Sequence, residues 1–143
     1  MGRRPEANEK KQGMIVVDSS VWIDYFNHHS SPPAEKLKTC FAAETPLAII
    51  PMVLMEVLSG FKSETDFKKA LDFMLDLPII QTGPSVHVNA ARLFRHLRQK
   101  GITINGHGDC LIAQACIENG ALLLAVDGGF EHIARHCPLK LAH

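Results

Sequence analysis

The sequence predicts an α/β fold, with a central, mostly parallel sheet and helices on both of its faces. Two observations carry this. Short apolar runs alternate with helix-spaced segments along the whole chain, and those runs are apolar at successive positions rather than at every second one. A strand that is apolar throughout is covered on both faces, as in a parallel sheet between helices. The length of 143 residues, 46% hydrophobic and 21% charged, suits one soluble globular domain with its own core.

Residues 1–13 are charged and lack an apolar segment, so they read as a flexible extension, and the single domain is expected over 14–143. Residues 14–17, Met-Ile-Val-Val, form a buried strand that stops at Asp18. Ser19 and Ser20 lead into a short helix through Trp22, Tyr25 and Phe26. Residues 27–33 are a loop, and Pro33 sits in the first turn of a helix to about Glu44, with Leu37, Cys40 and Phe41 inward. Residues 47–50 form the second strand. Pro51 opens a helix that carries Glu56 and ends near Gly60.

Ser63 caps the next helix, whose inner face is Phe67, Ala70, Leu71 and Met74. Residues 78–82 are expected to be a third strand. Ser85 is expected to cap a helix with the stripe Val86, Ala90, Leu93, Phe94 and Leu97, ended by Gly101. Asp109 is expected to begin a helix that is apolar nearly all round and ends at Gly120. Residues 121–126 form a strand that runs into Asp127. A short helix from about Phe130 and an edge strand over 139–142 complete the chain.

Composition narrows the function. No apolar run approaches the roughly 20 residues of a membrane span, so no membrane association is expected. Fifteen Lys and Arg balance fifteen Asp and Glu, so overall charge does not announce a nucleic-acid partner. Cys40, Cys110, Cys116 and Cys137 include no C-x-x-C pair. With no secretory signal they read as reduced, buried thiols of a cytoplasmic protein.

The acids carry the chemistry. Asp18 and Asp127 each follow an apolar strand, Glu56 lies in the helix after a strand, and Asp109 stands at a helix start. Ligands of open α/β sheets bind at the carboxyl ends of the strands. If the strands of Asp18 and Asp127 are parallel neighbours, all four carboxylates share that rim. Each Asp also has a structural reading: Asp18 and Asp109 as helix caps, Asp127 as a turn residue before two glycines. Glu56, set among apolar neighbours, has no obvious solvated face and needs a partner. Gathered carboxylates repel one another and take up protons unless a cation joins them. Their hard oxygens suit Mg2+ or Mn2+, one or two ions per site. Two such ions, about 4 Å apart, activate a water and stabilise the leaving oxygen of a phosphodiester.

Four motifs together resemble the PIN-domain family. Asp18-Ser-Ser-Val-Trp-Ile-Asp is similar to its opening D-[TS]-[SN]-V, and Met55-Glu56-Val-Leu-Ser-Gly60 to its E-[LV]-x-x-G helix. Asp109-Cys-Leu-Ile-Ala113 resembles D-x-L-I-A, and Leu123-Leu-Ala-Val-Asp127-Gly-Gly-Phe130 the last strand with its D-x-D-F turn. The match runs from Met14 to the end, in order, and is nearest to the VapC toxin branch. The resemblance implies a three-layer PIN-like fold and an endoribonuclease toxin of a type II toxin–antitoxin system. It implies an RNA substrate, a VapB-like antitoxin and a homodimer. It implies metal binding by Asp18, Glu56, Asp109 and Asp127, with Ser19 and Ser20 as supporting hydroxyls. Ala125 stands where the family often has Thr, and Gly129 where it often has a second Asp, so Asp127 is the sole carboxylate of its turn. Residues 105–108, Asn-Gly-His-Gly, are glycine-rich for the family.

Other signals are weaker. Arg92, Arg95 and Arg98, with Lys100 beyond them, read as a solvated helix face or as a strip for RNA phosphates or an acidic partner. His107, two residues before Asp109, is a candidate substrate contact. His132 and His136 have the i, i+4 spacing of a zinc pair without a third ligand, and His28 and His29 sit in a polar loop. Trp22, Tyr25 and Phe26 read as core or as part of a partner groove. Among competing readings, a catalytically inactive PIN-type binding module is disfavoured by the intact acids. A haloacid-dehalogenase-type phosphohydrolase wants a second Asp where Ser20 stands, and a receiver domain wants adjacent acids and a late Lys. With no G-x-S-x-G elbow and histidines scattered, hydrolysis by a metal-activated water, leaving a 5′-phosphate and a 3′-hydroxyl, is the expected chemistry.

Overall fold

The computed structural model describes residues 13–104, 106–126 and 128–143. The expected extension, all but Gly13, and Asp127 lie outside the described residues. Four short strands, β1 (Ile15–Val17), β2 (Leu47–Ala48), β3 (Leu122–Leu124) and β4 (Lys140–Leu141), form one sheet in the order β2-β1-β3-β4. Every pairing in it is parallel, with Val17 opposite Leu124. Among the described residues the sheet is covered by seven helices: α1 (Ser19–Phe26), α2 (Pro32–Ala42), α3 (Pro51–Ser59), α4 (Glu64–Leu75), α5 (Pro84–Gln99), α6 (His107–Asn119) and α7 (Gly129–Ala134). This is the three-layer α/β arrangement expected from the apolar strands. Ile15, Val16 and Val17 are all buried because β1 lies inside the sheet with both faces covered.

The helix starts follow local chemistry. A proline with its fixed φ and missing N–H opens α2, α3 and α5. Ser31 Oγ accepts from Ala34 N at 3.2 Å, and Ser63 Oγ from Asp66 N at 3.3 Å. At the far end of α6, Gly120 adopts the left-handed conformation (φ 62°), which closes the helix and turns the chain into β3.

Several expectations need correction. The third strand over 78–82 is a single bridge between Ile49 and Ile79, because the chain turns to Gly83 and Pro84 at once. The cap of α5 is Gly83, not Ser85, and Pro84 takes the first helical position. Asp109 does not begin its helix; α6 starts at His107 and Asp109 lies in its first turn. The strand over 121–126 is confined to Leu122–Leu124, and His136 falls beyond α7, so the two histidines do not share a helix. Of the two readings of Trp22, core or partner groove, its full burial decides for core. Glu56, expected among apolar contacts, is on the exposed side of α3 beside Met55.

Candidate active site

Asp18 stands where β1 ends, and its backbone N–H donates to Leu124 O at 2.9 Å. That bond ties the Asp18 position to the carboxyl end of β3. Asp18 is the N-cap of α1, but its carboxylate makes no capping hydrogen bond. Instead it accepts from Ser20 Oγ at 3.0 Å, and the whole residue is 6% exposed. The capping reading of Asp18 therefore does not account for its side chain. A buried carboxylate needs polar partners, and Ser20 is one that fixes its orientation.

Glu56 reaches this rim from α3 and Asp109 from the first turn of α6. Burial pushes the Glu56 carboxyl above the ordinary glutamate value, and the charges of Asp18 and then Asp109 push it further. The residue is exposed as a whole while its carboxyl is partly desolvated; the two fit if the head group leans into a concave rim as the outer side of α3 faces water. The same fields reach the thiols beneath. Cys116 is pushed up to about 12 by burial and by Asp18, and Cys110 to about 11 by burial, Asp109 and Cys137. Thiols held that high are not nucleophiles. A Cβ placed on Gly108 would lie 2.8 Å from Met52 Sδ, so α3 and the start of α6 approach closely one residue from Asp109.

Glu56 thus feels the charges of Asp18 and Asp109, and the fourth expected carboxylate, Asp127, lies outside the described residues. Among the described residues, no group of three His, Cys, Asp or Glu side chains is arranged to hold a metal ion. The donor chemistry nevertheless suits a divalent cation: hard oxygens, and a glutamate raised by burial first and by two neighbouring carboxylate charges after it.

Ser19 is the first residue of α1, half-buried beside Ser20. Arg92, Arg95 and Arg98 are exposed along α5. Arg92 Nη1 donates to Asn89 Oδ1 at 3.4 Å, while the Arg98 guanidinium lies 5.7 Å from the Phe94 ring centre. The His107 ring packs on the same Phe94, tilted by 32° with centroids 4.6 Å apart, so Phe94 brings Arg98 and His107 to one ring. A cleft of about 460 Å³, lined by Gly101, Ile102, Thr103, Ile104, Asp109, Gly129 and His132, has no signal in the sequence. No spacing rule joins a loop after α5 to a histidine of α7; only the fold does.

A second concavity, about 1070 Å³, lies among α1, α2, α4 and the loop after α3. Tyr25, Phe26, Phe61 and Phe73 line it, with Lys38, Lys62 and Lys69.

The model of the PIN domain matches residues 15–136. The chain belongs to the PIN-domain family. It is 30% identical over 131 residues to a VapC ribonuclease of Mycobacterium bovis and, equally, to ribonuclease VapC11 of Mycobacterium tuberculosis, covering 90% of this chain and 98% of each relative. That coverage places it in the VapC ribonuclease branch of the PIN-domain family. A crystal structure of VapBC2 from Rickettsia felis, bound to a DNA fragment from its promoter, contains a chain that superposes with a TM-score of 0.70 at 26% identity, over 90% of this chain and 97% of that one. No helix among the described residues of this PIN-domain chain is long and apolar enough to cross a membrane.

Proposed function

We infer that this chain is a metal-dependent endoribonuclease, the toxin of a VapB–VapC-type pair acting in the cytoplasm, and that it hydrolyses RNA phosphodiesters. The observation that supports the reading is that Asp18 follows β1 at the carboxyl edge of a parallel sheet, and that burial and the charges of Asp18 and Asp109 all act on the Glu56 carboxyl. Asp18, Glu56, Asp109 and Asp127 would hold Mg2+ or Mn2+, one or two ions, through carboxylate oxygens. Such a cation supplies positive charge for the phosphate and makes a water nucleophilic near neutral pH. Ser20 keeps the Asp18 carboxylate in one orientation, and Ser19 supports the same turn. Arg98, steadied over Phe94 beside His107, offers charge to the flanking phosphates, with Arg92 and Arg95 further along α5.

The partner reading rests on the second concavity and on the VapB–VapC assembly of the Rickettsia felis relative. A groove of four aromatic rings edged by three lysines suits an antitoxin segment with apolar anchors and acidic flanks. Leu75, Ile79 and Val88 are exposed apolar residues that a homodimer contact could cover, and light scattering would test for the dimer.

Cleavage of RNA should require Mg2+ or Mn2+, stop in EDTA, and yield 5′-phosphate and 3′-hydroxyl ends. Asp127→Asn should lower the rate by about 100-fold or more, since Gly129 offers no second carboxylate. Full activity in EDTA, or a 2′,3′-cyclic phosphate product, would overturn the mechanism.

A further inference from the structure

The cleft beside Asp109 has a shape and lining that the carboxylates alone do not explain. One wall is the segment after α5, where Ile102 and Ile104 are half-buried and Thr103 is exposed. The other is α7, where Gly129 leaves space and His132 stands exposed at the rim. Asp109 belongs to both the cleft and the carboxylate rim. The volume, about 460 Å³, lies in the range of small-molecule sites. The two histidines near Asp109 differ in their engagement. His107 has a ring face covered by Phe94 at 4.6 Å, whereas among the described residues no ring packs on His132.

We propose that this cleft is the subsite for the nucleoside next to the scissile phosphate of single-stranded RNA, with the base lying between His132 and the Ile102–Ile104 wall. This rests on the ribonuclease reading above. Unpaired RNA bases are recognised by stacking on flat side chains, histidine included, and an aliphatic wall completes such a slot. Thr103 supplies a hydroxyl at the mouth for a base edge or a ribose 2′-hydroxyl. Because Asp109 forms part of the same cavity, a base seated there brings its own phosphate to the carboxylates. His132 is then a specificity-determining residue, and the shape of the slot selects which nucleotide flanks the cut.

The test uses the full chain, Mg2+ and a 12-nucleotide single-stranded RNA of randomised sequence, with sequencing of the product ends. His132→Ala should raise KM by about fivefold or more, the lower end of the effect of losing a base stack. It should also flatten the nucleotide preference at one position beside the cut. His132→Phe, which keeps a ring face without the nitrogens, should restore most of both. If His132→Ala has the parent's KM and preference, or if His132→Phe is as impaired as the alanine variant, the subsite is wrong. A parent chain inert toward RNA overturns the ribonuclease reading and this inference together. An active parent indifferent to His132 overturns the subsite alone.

Discussion

At the carboxyl end of the sheet, Glu56 is held above its ordinary pKa by burial and by the charges of Asp18 and Asp109. Around Trp22 the surroundings are the reverse: Tyr25, Phe26, Phe41 and Phe73 set their rings 5.9 to 6.2 Å from its own. In the first region neighbours repel and the fold holds them together; in the second neighbours attract and help hold the fold. The contrast separates what stabilises this chain from what equips it. Substitutions among the rings should cost stability, and substitutions among the acids should cost activity while relieving strain.

The largest stability effect should come from Trp22→Ala. Trp22 is fully buried, and truncating so large an aromatic costs about 3–5 kcal/mol. Its indole N–H is buried with no hydrogen-bond partner among the described residues, an arrangement that itself weakens the fold. Trp22→Phe removes that donor along with some volume, so its cost should be much smaller. Urea unfolding measures both; equal losses would mean that the indole's packing, not its aromatic bulk, is what the cluster needs.

Phe73 tests whether the ring cluster also faces outward. It touches Trp22, Tyr25, Phe26 and Phe41, yet is 37% exposed in the groove between α1 and α4. Phe73→Asp should weaken binding of the cognate antitoxin by about 30-fold, the effect of a hot-spot anchor, as read by calorimetry. Unchanged affinity would move the partner off this groove.

The rim was more legible in the sequence than the groove. Asp18 follows a strand whose β-branched residues are visible without a structure, and its parallel neighbour β3 is just as apolar. The solvated side of Glu56 is hidden in the sequence by its apolar neighbours: Met55 and Glu56 lie on the open side of α3, and only the carboxyl is partly desolvated. The third strand was overread because Pro78-Ile-Ile has strand composition but only one bridging residue before the turn. The groove was invisible because it joins rings from α1, α2, α4 and the loop after α3, and no periodicity links positions 26, 61 and 73. The His132 cleft escaped for the same reason.

Glu56→Gln probes the repulsion directly. The raised carboxyl means that the folded chain holds this proton more tightly than the unfolded chain does. Its contribution to stability is therefore full below the ordinary glutamate pKa and is lost as pH rises through the raised value. At neutral pH with chelator present, Glu56→Gln should raise Tm by about 1–2 °C, the small size reflecting solvent screening of an exposed residue. The gain should vanish at pH 4, where the parent carboxyl is protonated, and cleavage should fall at every pH. A variant less stable than the parent at pH 7 would show that Glu56 makes a favourable contact the repulsion does not outweigh.

The smallest stability change should accompany an informative loss of geometry, at Gly108. An alanine there gains about 0.5–1 kcal/mol of helix preference over glycine. Against this, its Cβ would meet Met52 Sδ at 2.8 Å. A thioether yields easily, so Gly108→Ala should stay within about 1 kcal/mol of the parent. The movement does not stop at Met52, however. Met52 lies one helical turn before Glu56 on α3, and Gly108 directly precedes Asp109 on α6, so pushing the two helices apart separates two carboxylates. Misplacement of a catalytic group by a fraction of an ångström is costly, and cleavage should fall about tenfold. The Glu56 pKa, followed by NMR titration, should drop toward its ordinary value as Asp109 recedes. Shortening the obstacle in the Gly108→Ala/Met52→Ala double variant should return both the pKa and much of the activity, although the lost thioether makes it less stable than either single change at Gly108 or the parent. If activity instead follows stability across the parent and the two variants, the contact is ordinary packing and the separation of the carboxylates is set elsewhere.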